Sequence, residues 1–274
     1  MTIAGALALA ARLGAERGDA QQLLAHRLQR PRSWLLAHDD QALPIDLAPR
    51  FEAECRQLAD DVPLAYLLGE QPFHGLMLQV SPAVLVPRPD TETLVAWALD
   101  CLGQAALPTP EVLDLGTGSG AIALAVANAW RAARVTATDV SEAALAVARS
   151  NGARLGLAID TAAGSWWQAV PGRQFDLVLS NPPYIAGDDP HLPALRHEPH
   201  LALTPGGDGL DAIRAIVAGA PQALRPGGWL LLEHGWDQAD AVRALLRGAG
   251  FAEVQSRQDL AGRMRCSGGR RQQG

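Results

Sequence analysis

The sequence predicts an α/β fold, a parallel sheet with helices on both faces preceded by a small all-α N-terminal domain. Three observations predict it. From Glu111 onward, short apolar runs alternate with helical patterns, as they do where crossover helices join parallel strands. A glycine-rich run, Asp114-Leu-Gly-Thr-Gly-Ser-Gly-Ala121, lies between a strand pattern and a helix pattern. Thr2 to Leu68 is helical in pattern throughout. With 274 residues the chain can form one large or two modest domains and bury a substantial core without disulfides or metals.

Leu7, Ala10 and Ala11 share one helical face at i, i+3, i+4, and Leu23, Leu24 and Leu28 share another. Ser33 is placed to cap a short helix carrying Trp34, Leu35 and Leu36. Pro49 is placed to start one carrying Phe51, Cys55 and Leu58. Residues 1–70 are therefore expected to hold about four or five short helices. The texture changes at Gly69. Phe73 to Val80 holds alternating and β-branched residues between turn signals, a strand or hairpin. Pro82, Pro87 and Pro89 keep the next stretch from helix. Residues 71–90 form a hairpin and linker in this reading, and 91–274 the α/β domain, whose first helix runs from Thr91 to Leu102. Strands are expected at 112–115, 134–138, 175–180, 228–233 and 251–256. Helices are expected at 121–130, 142–153 behind the cap Ser141, 210–224 and 239–248. Arg263, Arg265, Arg270 and Arg271, around a glycine-rich tail, are taken for a polar or frayed terminus.

A formal net charge of −6 argues against a general nucleic-acid binder, which usually shows a basic excess. Cys55, Cys101 and Cys266 are far apart and form no CxxC pair, so neither a zinc site nor a disulfide framework is expected, and no metal is assigned. Reduced thiols fit the cytosol. Met1 to Ala11 is apolar but lacks a basic lead, so it is read as a helix, not a targeting segment. No run approaches the roughly 18 apolar residues needed to span a bilayer.

The glycine run lets the backbone turn sharply and lets a ligand approach without a Cβ in the way. It also satisfies the dinucleotide pattern G-x-G-x-x-G/A. Asp139 ends the next strand about twenty residues on, where a carboxylate can accept from both hydroxyls of a ribose. These residues define a nucleoside pocket and suit a nicotinamide cofactor and S-adenosylmethionine equally. Phe175-Asp-Leu-Val-Leu-Ser-Asn-Pro-Pro-Tyr184 separates the two. It ends a strand in an amide, two prolines and an aromatic ring. Proline lacks the N–H, so carbonyl oxygens here are left open as acceptors. Asn181 Oδ1 and the Pro182 carbonyl can each accept one proton of a substrate –NH₂ group, turning its lone pair toward an incoming methyl. Tyr184 is placed to cover a planar group or to face a sulfonium. Placement in line supplies much of the acceleration, and no strong base is required.

At this point the sequence resembles a known family, the HemK/PrmC-type protein-(glutamine-N5) methyltransferases, which modify class I peptide-chain release factors. The resemblance spans nearly the whole chain, most strongly Gly69 to Gly269. It is carried by Ser81 to Glu92 with its Pro-Arg-Pro-Asp-Thr-Glu run, Asp114 to Ala123, Ser180 to Ile185, and Glu233-His-Gly-Trp236. It implies a Rossmann-like class I methyltransferase sheet using S-adenosyl-L-methionine. Gly116, Thr117, Gly118, Ser119 and Gly120 would line the methionine part of the cofactor, Asp139 would hold the ribose, and Trp166 would lie beside the adenine. Asn181 would be the catalytic residue, touching both cofactor and substrate. Asn181, Pro182, Pro183 and Tyr184 would grip the glutamine of the release factor's Gly-Gly-Gln loop, and the helices of residues 1–70 would dock the body of that factor. The implied outcome is modulation of translation termination by a cytoplasmic monomer that contacts neither nucleic acid nor membrane. One departure is that Ser165 stands where the family commonly has an acid before the tryptophan. Trp167 competes for the adenine, and the distance to Asn181 favours Trp166.

Arg88 and Glu92 are read as a charged pair shaping the substrate mouth. His197, Glu198 and His200 look like a metal cluster but are better explained as a mobile loop after Tyr184. His234 is read as a structural strand-end residue. Other readings are an Asn-Pro-Pro-Tyr methyltransferase acting on a ribosomal-protein glutamine or a nucleobase, a nicotinamide-dependent oxidoreductase, and a binding module with a degenerate pocket.

Overall fold

The Thr2 hydroxyl accepts from the Gly5 amide at 3.1 Å and starts helix α1, Ile3–Leu13. In the computed structural model, which describes residues 1–272, the chain divides into two units, Met1–Glu70 and Gln71–Gly274. The first unit continues with α2 (Arg17–Leu28), α3 (Arg32–Ala37), α4 (Leu47–Ala59) and α5 (Leu64–Leu68). Ile3, Leu23, Leu24, Leu35 and Phe51 are buried at its centre. Arg27 on α2 donates to Glu54 on α4 at 2.8 Å and also to the Leu67 carbonyl on α5, tying three helices together. Ser33 does not cap α3. Pro31 precedes that helix and no side-chain cap forms, because Ser33 already lies within the first turn. Pro49 also lies inside the first turn of α4, which starts at Leu47.

From the last residue of the first unit onward, β1 (Glu70–Phe73) and β2 (Leu76–Gln79) form a separate two-stranded sheet. Then follow α6 (Glu92–Ala105), β3 (Glu111–Leu115), α7 (Ala121–Ala129), β4 (Arg134–Asp139), α8 (Glu142–Leu155), β5 (Asp160–Ala163) and β6 (Phe175–Ser180). The chain continues through α9 (His200–Leu203), α10 (Asp211–Ala223), β7 (Leu224–Glu233), α11 (Ala239–Gly248), β8 (Phe251–Gln258) and β9 (Met264–Arg271). Ser141 caps α8 by accepting from the Ala144 amide at 3.2 Å.

Seven strands form one sheet in the order β5-β4-β3-β6-β7-β9-β8. β5, β4, β3, β6 and β7 pair in parallel, and β9 runs antiparallel to both β7 and β8. The central strands alternate as a two-sided sheet requires. Val112, Leu177, Leu179 and Leu231 face the layer that includes α6 and α7. Leu113, Val178, Leu230 and Leu232 face the layer of α10 and α11.

The structure corrects the reading of the arginine-rich tail. Met264–Arg271 is a strand one place in from the sheet edge, not a frayed terminus. A Cβ at Gly268 would lie 2.5 Å from Leu231 Cδ2 and 2.8 Å from the Leu230 carbonyl, so its glycine serves close packing rather than a turn. Two of the arginines bind backbone: Arg270 Nε donates to the Gly227 carbonyl at 3.0 Å and Arg271 to that of Leu224. The sequence reading also lacked β5, whose Asp-Thr-Ala-Ala has no apolar run to announce it.

Candidate active site

β3 lies mid-sheet, with β4 on one side and β6 on the other. Strand order reverses there, so the loops after β3 and β6 lead to opposite faces and leave a crevice above their carboxyl ends. Gly116, Gly118 and Gly120 in the first loop have φ of 72°, 54° and 83°, values that favour glycine. A Cβ at Gly120 would lie 3.1 Å from both Ala148 Cβ and Leu124 Cδ1. The Thr117 amide donates to the Thr138 carbonyl at 2.8 Å, and the Gly118 amide to Asp139 Oδ2 at 2.9 Å. Asp139 Oδ1 accepts from the Ser141 amide at 2.9 Å, so the carboxylate is held at both oxygens while its remaining lone pairs face the crevice. Helix α7 begins behind the loop without a side-chain cap.

Two adjoining cavities of about 310 and 370 Å³ open over this crevice and share Gly116, Asp139, Val140, Pro183 and Leu201 as walls. Thr117, Gly118, Ser119, Thr91 and Asn181 line the first. Trp166 lines the second, its ring 3.5 Å from where a Gly116 Cβ would stand. Trp166 has φ 46°, a strained value for a large aromatic. Trp167 turns away: its Nε1 donates to the Ile216 carbonyl of α10 at 3.2 Å.

Asn181 Nδ2 donates to Thr91 Oγ1 at 3.2 Å, and Oδ1 takes no part in that bond. Pro182 is buried and lines neither cavity. The Tyr184 ring also lines neither. Its hydroxyl donates to Glu233 Oε1 at 3.3 Å, and its carbonyl accepts from Gln238 Nε2 at 3.0 Å. The tyrosine thus braces the loop from behind instead of covering a planar group.

Arg88 does not pair with Glu92. Arg88 pairs with Glu198, whose side chain is 2% exposed and also accepts from the Val86 amide at 3.0 Å. Glu92 accepts from the His74 amide at 2.8 Å. The Arg88–Glu198 pair fastens the segment after Tyr184 to the wall of the first cavity, so Glu198 is a buried anchor and not part of a mobile loop. Among the described residues no group of histidines, cysteines and acids is arranged to hold a metal. His234 is buried, its Nε2 2.7 Å from Ser267 Oγ, and burial holds its pKa below the ordinary value.

Two buried acids lie behind the site, and neither lines a cavity. Asp114 Oδ2 accepts from Thr117 Oγ1 at 2.6 Å and the Ala123 amide at 3.2 Å, while its Oδ1 is buried with no partner. Burial pushes this carboxyl up to about 7, opposed by those two hydrogen bonds and aided by nearby Asp139. Glu233, at the end of β7, is likewise pushed by burial to about 7, with Oε2 unpartnered. Their signal in the sequence was a carboxylate inside an otherwise apolar strand. The cavity lining fits S-adenosylmethionine: a glycine cradle, an acid for a ribose diol and an aromatic wall for a base.

In fold the chain is similar to a methyltransferase from Pyrococcus furiosus, with TM-score 0.54 and 22% identity over 72% of this chain and 90% of that one. It is also similar to the T. thermophilus 16S rRNA N2 G1207 methyltransferase solved with AdoMet and guanosine, with TM-score 0.57 and 20% identity over 74% of this chain and 50% of that one. Fold and site together define a class I methyltransferase. Residues 96–210 match the methyltransferase small domain model, and residues 3–69 match the PrmC N-terminal domain model. The release factor glutamine methyltransferase of Bordetella pertussis is 54% identical over 93% of this chain and 95% of its own length. That of Xylella fastidiosa (strain Temecula1) is 51% identical over 97% of each chain, and that of Pseudomonas aeruginosa 46% identical over 91% and 90%. The chain belongs to the release factor glutamine methyltransferase family.

Proposed function

We propose that this protein transfers a methyl group from S-adenosyl-L-methionine to the side-chain amide nitrogen, N5, of the glutamine in the Gly-Gly-Gln motif of class I release factors, and so modulates translation termination. The observation that carries this reading is Asn181, held through Nδ2 by Thr91, in the wall of a cavity it shares with the glycine loop. S-Adenosylmethionine supplies a methyl group on a sulfonium. Gly116 to Gly120 hold its methionine part, Asp139 its ribose and Trp166 its adenine. Asn181 Oδ1 accepts an N–H proton of the glutamine amide, while Pro182, which lines neither cavity, supports the turn. The Asn181 bond orients the nitrogen and draws its lone pair out of conjugation. Pro183 shapes the wall, and Tyr184 holds the loop by its hydroxyl. Residues 1–70 dock the body of the release factor, 71–90 link, and 91–274 bind the cofactor. The protein acts as a cytoplasmic monomer without nucleic acid or membrane. Among the described residues no helix is long and apolar enough to cross a membrane.

The test is transfer of labelled methyl from S-adenosylmethionine to release factors, with ribosomal protein and nucleic acid as parallel substrates. Labelling of release factors that disappears when the Gly-Gly-Gln glutamine is replaced is the expected result. Labelling of ribosomal protein or nucleic acid alone would assign a different substrate.

A further inference from the structure

Asn151 lies inside α8, where asparagine is a poor helix former, and it is 0% exposed. A primary amide buried in this way must place its two donors and its acceptor. Asn151 places all of them on main-chain groups. Its Oδ1 accepts from the Gln79 amide at 2.7 Å, and its Nδ2 donates to the Gln79 carbonyl at 2.9 Å and to the Ser119 carbonyl at 3.0 Å. Arg154 adds a longer bond to Oδ1 at 3.5 Å. A main-chain N–H only donates and a carbonyl only accepts, so these partners fix which end of the amide is which.

Gln79 ends β2, whereas Ser119 belongs to the glycine loop and is 2% exposed. The first part of that loop is held from the β4 side, the Thr117 amide by the Thr138 carbonyl and the Gly118 amide by Asp139. Asn151 holds the far part from α8. Ala148, one turn earlier on the same face of α8, packs under Gly120, where an added Cβ would lie 3.1 Å from Ala148 Cβ. The Gly120 amide donates to the Thr117 carbonyl at 2.9 Å, so the Ser119 carbonyl is the other end of the same peptide unit. Glycines flank Ser119 on both sides. That peptide unit can therefore turn over at little steric cost unless its carbonyl is held.

A loop already fixed in the free enzyme does not have to be ordered when its ligand binds. A loop that must be ordered on binding weakens affinity, but leaves the chemical step alone once the ligand is seated. We propose that Asn151 is a positioning residue for the cofactor: it holds the Ser119 carbonyl and so keeps the glycine loop in its binding form before S-adenosylmethionine arrives. The inference rests on the reading that Gly116 to Gly120 hold the methionine part of that cofactor. The bonds to Gln79 are a second route of influence, because β2 leads toward Ala83 and Val84 in the wall of the first cavity. Ser150 separates the two routes. Its hydroxyl donates to Gln79 Oε1 at 3.0 Å, on the hairpin side and away from the loop.

The test uses the full-length enzyme, with S-adenosylhomocysteine affinity measured by calorimetry and kinetics measured on S-adenosylmethionine and intact release factor. Asn151→Ala should weaken S-adenosylhomocysteine binding by about five- to twentyfold and raise KM for S-adenosylmethionine by the same factor, with kcat within about threefold of wild type. A merely structural loss would instead lower the folded fraction, and with it kcat and the titration stoichiometry, at unchanged affinity. Ser150→Ala should keep wild-type affinity within about twofold. Affinity of Asn151→Ala within about twofold of wild type, or an equal weakening in Ser150→Ala, would overturn the inference. Should Asn151→Ala not fold, Asn151→Ser carries the same expectations. Should neither fold, amide hydrogen exchange of the wild type decides. Protection at Gly118 and Gly120 in the free enzyme is the expected result, and exchange there at coil rates until S-adenosylhomocysteine is added would sink the idea. If the wild type binds no S-adenosylhomocysteine, the underlying reading of the loop fails. If it binds and Asn151→Ala binds equally well, this inference alone fails.

Discussion

Asn181 illustrates how much one side chain depends on its partner. An asparagine amide is a donor at one end and an acceptor at the other, and a substrate amide nitrogen needs the acceptor. Thr91 takes the donor end. Asn181→Ala is expected to lower kcat by about 100-fold or more while leaving S-adenosylhomocysteine affinity within about threefold, as for removal of a group that acts mainly in the transition state. Single-turnover kinetics and calorimetry check both halves. The buried acids make a second prediction. Asp114 and Glu233 have folded pKa values of about 7, each raised by burial above its ordinary value. Between about pH 4 and 7 the folded chain therefore holds more protons at these groups than the unfolded chain. Their contribution to stability is full below that window and is lost as pH rises through about 7. Glu233→Gln should show a smaller loss of unfolding free energy from about pH 5 to 7.5 than wild type, measured by urea titration. A loss equal to that of wild type would mean Glu233 is ionised in the folded protein throughout this range.

Among the elements, β9 shows how a segment of low strand propensity becomes an interior strand. Its serine and two glycines form few apolar contacts of their own. Its place is set by Leu231, Leu230 and Phe251, which leave no room for a side chain at positions 268 and 269. Gly268→Ala should cost about 1–3 kcal/mol, because a Cβ there meets packed atoms at under 3 Å. The same substitution at Gly103, in α6 with nothing within 4 Å of the added Cβ, should stabilise by about 0.4–1 kcal/mol. Denaturant midpoints of the two variants should move in opposite directions. The segment after β6 behaves differently again. It is pinned by the buried Glu198 to Arg88 and to the Val86 amide, contacts more than a hundred residues apart in sequence.

At the scale of the whole molecule, the site exists because the sheet changes direction at β3. That geometry brings a glycine loop, an acid from β4 and an amide from β6 to one crevice. The docking role proposed for residues 1–70 makes a separable prediction, because it concerns recognition and not chemistry. The kcat/KM for intact release factor should exceed that for a free Gly-Gly-Gln peptide by at least about tenfold, with kcat less affected. Leu36 and Ile45 on the first unit are 68% and 87% exposed. Aspartate at both should lower kcat/KM for the intact factor and leave the peptide reaction unchanged. Equal kcat/KM for factor and peptide in wild type would remove the docking role.

The sequence by itself determined what depends on neighbours within a few residues. The glycine loop, the acid ending β4, the Asn-Pro-Pro-Tyr turn and the alternating apolar faces of β3, β6 and β7 are local devices, each set by backbone freedom, proline chemistry or side-chain period. The helical first unit was legible for the same reason. Only the tertiary structure decided the partners. Thr91 lies ninety residues from Asn181, Arg88 meets Glu198 and not its near neighbour Glu92, and Tyr184 turns to Glu233 instead of the cavity. The arginine-rich tail became a strand because β7 and β8 offered it two unpaired edges and space only for glycine at positions 268 and 269. Such choices come from burial and long-range packing, which no short window of sequence contains. The cavity wall could therefore be named from the sequence, but the buried threonine that holds Asn181 could not.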